Sequence, residues 1–171
     1  MAPTGRQPET PESPEASAGS TPYQDPNQFF FVALPSGFVL QDRSRSLETE
    51  VTFTYPPNIS ITMTAIRSPG RWETETEMYN AIAGAQQSRN GLAQVQIQTY
   101  GPCEFGCGRG YFFSGTALQG SAFCRLHEYG VHAYQKTVRI KIICKNCRNP
   151  RLAALLDGIM ESLRKTLLVY P

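Results

Sequence analysis

Large apolar side chains are nearly absent before Tyr23 and then crowd together at Gln28-Phe29-Phe30-Phe31-Val32-Ala33-Leu34. Pro35-Ser36-Gly37 reads as a turn and Phe38-Val39-Leu40 as a second short run, which places the start of the folded domain near residue 27. Glu50 to Tyr55 alternates with period two, Pro56-Pro57-Asn58 turns the chain, and Ile59 to Ile66 alternates again. Two β-branched runs joined in this way predict a hairpin, with Val51, Phe53 and Tyr55 facing Ile59, Ile61 and Met63.

Ser68-Pro69-Gly70 breaks that pattern, and Glu73, Glu75 and Glu77 follow, where carboxylates favour the positive end of a helix dipole. Met78, Ala81, Ile82 and Ala85 predict one face of a helix that runs to about Arg89 and ends at Asn90-Gly91. From Val95 to Ile143 the strand pattern returns. Breaks at Gly106 to Gly110, Gln119-Gly120 and Tyr129-Gly130-Val131 predict a meander of three long strands. Asn149 is a good N-cap, Pro150 suits the first helical position, and Leu152, Leu155, Leu156, Ile159, Leu163 and Leu167 recur at helical spacing to about Leu168. The fold class is therefore α+β, an antiparallel sheet packed by two α-helices.

Composition supports one domain. The 171 residues, 40% hydrophobic and 18% charged, suffice for one core and are too few for a large multidomain enzyme. Residues 1–27 are rich in proline and carry Glu9, Glu12, Glu15 and Asp25 against Arg6 alone, a net charge of −3 in a chain of formal charge +2. They read as a disordered acidic tail, a solvated segment ahead of a proline-motif ligand, before a single binding domain at 28–171. The remaining +5 falls short of the basic stripe that phosphate backbones require, so nucleic acid is not an expected partner. No run approaches 18 apolar residues and the N-terminus lacks the basic start and apolar stretch of a signal peptide; a soluble, cytoplasmic protein is expected.

Placing hairpin turns at Gln119-Gly120 and at Tyr129 to Val131 puts Tyr111, Phe113, Ala117, Cys124, Leu126, Val138, Ile140, Ile142 and Cys144 on one side, the expected core face. The other side then carries Phe112, Leu118, Phe123, Arg125, Arg139 and Lys141, with His127 and several hydroxyls. Aromatic anchors beside arginines are what protein-binding surfaces use, so these six residues are the candidate partner site, for a foreign protein or a second copy of the chain.

Five cysteines all fall between Cys103 and Cys147. Cys103-x3-Cys107 and Cys144-x2-Cys147 together offer four thiolates of the type that hold zinc, although the expected register sets Cys107 far from Cys144. A small metal site at Cys103 and Cys107 with His132 as a further candidate ligand, a local disulfide between those two cysteines, a separate Cys144/Cys147 redox pair, and plain thiols stay open. Reduced thiols, with or without a metal, are the default, and no cofactor is required. A Cys-His-carboxylate set would need His127 and Glu128, neighbours that point to opposite faces of a strand. The glycines from Gly101 to Gly110 lack the Gly-Lys-Ser/Thr of a phosphate loop. An enzyme is not expected.

Phe31-Val32-Ala33-Leu34-Pro35-Ser36-Gly37-Phe38, Gln41-Asp42-Arg43-Ser44, Ile66-Arg67, Gly110-Tyr111-Phe112-Phe113-Ser114-Gly115 and Tyr134-Gln135-Lys136-Thr137-Val138-Arg139, in this order of elements, resemble the PsbP-like α+β sandwich family. That family includes DcrB-type proteins and a Ran-GTPase-binding member, and the resemblance covers about residues 28–168. In style it is nearest to the Eag-type chaperones of type VI secretion. The resemblance implies a non-catalytic chaperone, adaptor or accessory subunit, whose sheet takes a hydrophobic helix or docks on a membrane complex.

Overall fold

The computed structural model describes residues 20–87, 91–106 and 108–171. A seven-stranded antiparallel sheet runs in the order β3 (Val39–Asp42), β4 (Glu48–Tyr55), β5 (Ile59–Arg67), β9 (Lys136–Lys145), β8 (Ala122–Ala133), β7 (Gly108–Gln119), β6 (Leu92–Phe105). A second sheet of three short strands, β1 (Ser20–Gln24), β2 (Phe30–Pro35) and β10 (Leu168–Val169), has β2 at its centre. Helix α1 (Thr74–Gln86) packs on β6 and β7, and α2 (Pro150–Thr166) packs along β2.

The main core lies between the two sheets. Phe30, Val32 and Leu34 of β2 meet Val51, Phe53, Ile59, Ile61 and Met63 of the hairpin, and Leu156, Ile159 and Leu163 of α2 complete the layer. The hairpin register pairs Val51 with Met63, Phe53 with Ile61 and Tyr55 with Ile59, the partners expected from alternation. Each fully buried Leu, Ile or Phe contributes about 1.5–3 kcal/mol relative to exposure. Helix α2 starts where its sequence dictates: the Asn149 side chain accepts from the Arg151 N–H and Pro150 occupies the first turn. Its last turn is fastened to β2, because the Thr166 hydroxyl accepts from the Ala33 N–H and lies 3.1 Å from the Ala33 carbonyl.

Several expectations need correction. The meander has four strands, β6 to β9, because the long segment after α1 forms its own edge strand. Helix α2 stops at Thr166, and Leu168–Val169 pairs with β2 instead. Strand structure begins before residue 27, since Ser20–Gln24 pairs with β2 and Tyr23 and Asp25 are buried. Asp25 takes hydrogen bonds from the backbone N–H groups of Asn27 and Phe29 and from the Thr49 hydroxyl, tying this entry segment to β4. The rest of the expected tail, residues 1–19, lies outside the described residues.

The largest correction concerns the turn between β8 and β9. Strand β8 runs straight through Tyr129-Gly130-Val131, and the chain reverses at Tyr134-Gln135, with Ala133 paired to Lys136. Both turn residues have positive φ, 52° and 58°, the requirement of a two-residue type I′ hairpin. Gly130 serves another purpose: a Cβ there would collide with the Tyr111 ring, which lies across it from β7. With the turn moved, Glu128 pairs with Lys141 instead of the expected His132, a slide of nine residues along β9; because nine is an odd number, its side chains exchange sides.

Candidate functional site

The shifted strand divides the six candidate binding residues between the two faces of the large sheet. Phe112 pairs across to Tyr129 and Ile140, Thr116 to Arg125 and Cys144, and Leu118 to Phe123, so Phe112, Leu118, Phe123 and Arg125 share the side of the main core. Arg139 pairs with Gly130 and Lys141 with Glu128, on the outer side where α1 lies. Val138, Ile140, Ile142 and Cys144, expected beside Tyr111 and Phe113, belong to the main core instead; Tyr111, Phe113, Leu126 and Met78 form a separate cluster under α1.

On the core side, the small sheet and α2 leave the β6–β7 margin only partly covered. Helix α2 faces this side of the sheet: Asp157 acts electrostatically on His127 of β8, and Arg164 on Tyr129 of β8 and Cys103 of β6. Beyond it Phe112, Ser114, Thr116 and Leu118 are half-buried along β7, with Phe123 and Arg125 half-buried on β8. Thr116, Leu118 and Phe123 line, with Gln94 and Gln96 of β6, a trough of about 180 Å³, while Phe112, further along β7, packs partly against the main core. The Arg148 guanidinium sits 4.4 Å from the Phe123 ring centre. His127 is buried behind this strip, its Nε2 without a hydrogen-bond partner among the described residues, and burial pulls its pKa down to about 4, with Arg125 adding to the effect.

On the outer side, a cleft of about 230 Å³ separates α1 from β8 and β9, with Glu128, Arg139 and Lys141 on its floor and Asn80, Ala81 and Gly84 on its wall. Arg139 bridges to Glu77 of α1 at 3.2 Å. Burial pushes the Glu128 carboxyl up to about 7, against the pull of Lys141, Arg139 and the Tyr111 hydroxyl. A second groove of about 360 Å³ runs between α1 and the sheet margin, where Tyr79 and Tyr100 stand about half exposed. No sequence signal pointed to this groove beyond two tyrosines at polar positions, because it exists only once α1 is laid against β6.

The cysteines are not gathered. Cys144 and Cys147 are joined in a disulfide, Cα atoms 5.8 Å apart, and both are buried. The default of reduced thiols therefore fails for this pair. Cys103 is level with Gly110, Val131 and Val138 across the sheet, six residues along β9 from Cys144, which is about 20 Å along the strand and three strand spacings away. Its thiol is pushed up to about 11 by burial. Cys107 lies outside the described residues, and among the described residues no three His, Cys, Asp or Glu side chains are grouped to hold a metal. Cys124 and His127 point to opposite faces, as do His127 and Glu128. Among the described residues no helix is long and apolar enough to cross a membrane.

No family model and no curated protein sequence matches this chain. Solved structures do. The solution structure of cyanobacterial PsbP (CyanoP) from Synechocystis sp. PCC 6803 superposes with a TM-score of 0.64 at 12% identity, over 99% of this chain and 100% of that one. LpqN, involved in cell envelope biogenesis of Mycobacterium tuberculosis, gives 0.58 at 12% identity over 89% and 91%. The Saccharomyces cerevisiae Ran-binding protein Mog1p gives 0.61 at 9% identity over 88% and 95%. At such identities the likeness is one of fold: the chain is a PsbP-like α+β sandwich, as the resemblance of its motifs implied.

Proposed function

We propose that this domain is a non-catalytic protein-binding module, an adaptor, chaperone or accessory subunit, that receives a segment of its partner in the trough between α2 and the β6–β7 margin. The observation that carries this reading is the half-buried strip of Phe112, Leu118 and Phe123 beside Arg125, only partly covered by the second sheet and the helix. Truncating aromatic anchors at such surfaces typically costs about 1–4 kcal/mol of binding. Support also comes from the proteins that share the fold: one is named for binding Ran and another for its part in envelope biogenesis. The narrower form, an Eag-type chaperone cradling a hydrophobic helix, rests on the motif resemblance, and a second copy of the chain is the competing occupant. For Arg139 and Lys141 the proposal changes: on the outer face, they serve the cleft under α1 and not the trough. The Cys144–Cys147 bond favours an oxidising compartment over the cytoplasm for this role.

Photo-crosslinking tests the assignment. A benzoylphenylalanine at Thr116, in the trough, is expected to capture one partner reproducibly, whereas the same group at Thr62 on the outer face is not. Phe112→Ala with Phe123→Ala should abolish the Thr116 adduct while leaving the circular dichroism spectrum intact. Adducts formed equally from Thr62, or unchanged in the double variant, would exclude the trough. Adducts of the chain with itself would make the partner a second copy.

A further inference from the structure

The groove between α1 and β6 is separate from the trough and has a chemistry of its own. Tyr79 on α1 and Tyr100 on β6 face each other with ring centroids 6.2 Å apart and planes inclined at 60°. They are 49% and 55% exposed, unusual for two tyrosines in contact on a domain whose other aromatic pairs include at least one buried or half-buried ring. Met78, Gly101 and Pro102 form the floor and far wall of the 360 Å³ space beside them. Gly101 and Pro102 matter here because neither presents a long side chain, so the strand surface stays low in front of the two rings.

The charge of the groove is one-sided. Glu73, Glu75 and Glu77 occupy the start of α1. Arg71 pairs with Glu73 and Arg139 with Glu77, while Glu75, which lines the groove, has no ion-pair partner among the described residues. No lysine or arginine lines it. A groove lined by two exposed tyrosines and an unpaired carboxylate, with no basic residue in its lining, suits a ligand that is apolar along one edge and cationic.

We infer that the α1–β6 groove is a docking site for an extended proline-containing segment of another protein that carries an adjacent lysine or arginine. Proline rings lie flat on tyrosine faces, and a polyproline II segment is already extended before it binds, so little ordering entropy opposes docking. The basic residue next to it meets Glu75 or lies over a tyrosine face as a cation–π contact. The chain's own N-terminal segment is proline-rich, but Glu9, Glu12 and Glu15 against the single Arg6 give it the wrong charge for this groove. The inference does not depend on the trough, which uses other residues on the opposite face.

Fluorescence anisotropy on the full chain, with chemical-shift mapping, tests it. The probe is a labelled peptide of repeated Pro-Pro-Arg; the controls are the same peptide with Glu for Arg, the same with Ala for Pro, and a peptide of residues 1–19. The Pro-Pro-Arg peptide is expected to bind with shifts centred on Tyr79, Tyr100 and Gly101. Tyr79→Ala with Tyr100→Ala should weaken it at least tenfold, and Glu75→Lys severalfold with loss of its salt dependence. Both tyrosines are exposed, so an unchanged melting temperature certifies the variants. Absence of binding at millimolar peptide, equal binding of the Glu or Ala control, shifts centred elsewhere, or preferred binding of the 1–19 peptide would each overturn the inference.

Discussion

His127 and Glu128 are adjacent on β8, point to opposite faces, and store opposite dependences of stability on pH. Burial raises the Glu128 pKa from 4.5 to about 7 in the folded chain, with Lys141 and Arg139 of β9, Tyr111 of β7 and, through Arg139, Glu77 of α1 around it. The folded state then holds a proton that the unfolded state has released, so stability falls as pH rises from 4.5 to 7. His127 behaves conversely: its pKa drops from 6.5 to about 4, with Arg125 of the same strand and Asp157 of α2 facing it. Here the unfolded state holds the extra proton, and stability is lost as pH falls from 6.5 to 4. At ~1.4 kcal/mol for each pH unit across such a window, each residue accounts for at most about 3 kcal/mol. Over pH 4.5 to 6.5 the two slopes cancel, and the wild-type chain should show little dependence from this pair. Urea denaturation at half-unit steps from pH 4 to 8 resolves the two contributions as differences from wild type, which removes the background of other groups. Glu128→Gln should gain stability relative to wild type progressively from pH 4.5 and level off above 7, by up to about 3 kcal/mol. His127→Leu should gain relative to wild type as pH falls below 6.5, levelling off below 4, by a similar amount. Differences that stay flat within 0.5 kcal/mol, on the order of the additivity error, would show that both side chains are hydrated and would refute the burial assigned to β8.

Gly130→Ala forces a methyl group into the Tyr111 ring and should cost about 1–3 kcal/mol, while Gly158→Ala on α2, where nothing lies within 4 Å, should gain about 0.5–1 kcal/mol; thermal melts of the two read opposite signs. The Cys144–Cys147 bond closes a short loop, for which chain entropy gives roughly 2 kcal/mol, so Cys147→Ser and wild-type protein in reductant should lose about that much in chemical denaturation, with no further loss when the two are combined.

The elements of this fold were legible in the sequence wherever periodicity and end signals agreed. The hairpin of β4 and β5 was readable to the residue because alternation fixes which side chains face inward and the Pro-Pro-Asn turn leaves few registers. Helix α2 was readable at its start, since Asn149 and Pro150 satisfy separate physical requirements of a first turn, and misjudged at its end, where Leu167 continues the apolar stripe without the helix. Strand β1 was illegible because Ser20 to Gln24 has the composition of the segment before it; its order comes from pairing with β2 and from Asp25, which acts through backbone hydrogen bonds that composition does not reveal.

The candidate site was half legible, and the reason lies in one glycine. Glycine marks turns because it tolerates positive φ, and by that rule Tyr129-Gly130 predicts a turn. In the structure the positive φ values fall on Tyr134 and Gln135, residues that pay strain in a type I′ turn where Asn-Gly would be expected, while Gly130 is small so that a tyrosine ring can cross it. That exchange of roles slides β9 by nine residues along β8, and a slide by any odd number sends every side chain of a strand to the other face. Phe112, Leu118, Phe123 and Arg125 kept their common side because β7 and β8 were paired in the right phase, whereas Arg139 and Lys141 crossed to the cleft where Glu128 waits. The same crossing separates what looked like one mixed surface into an aromatic trough without Arg139 and Lys141 and a charged cleft without anchors. A partner that contacts Phe123 therefore cannot also reach Arg139 without passing around the sheet edge, and variants on the two faces should behave as independent sites with additive effects.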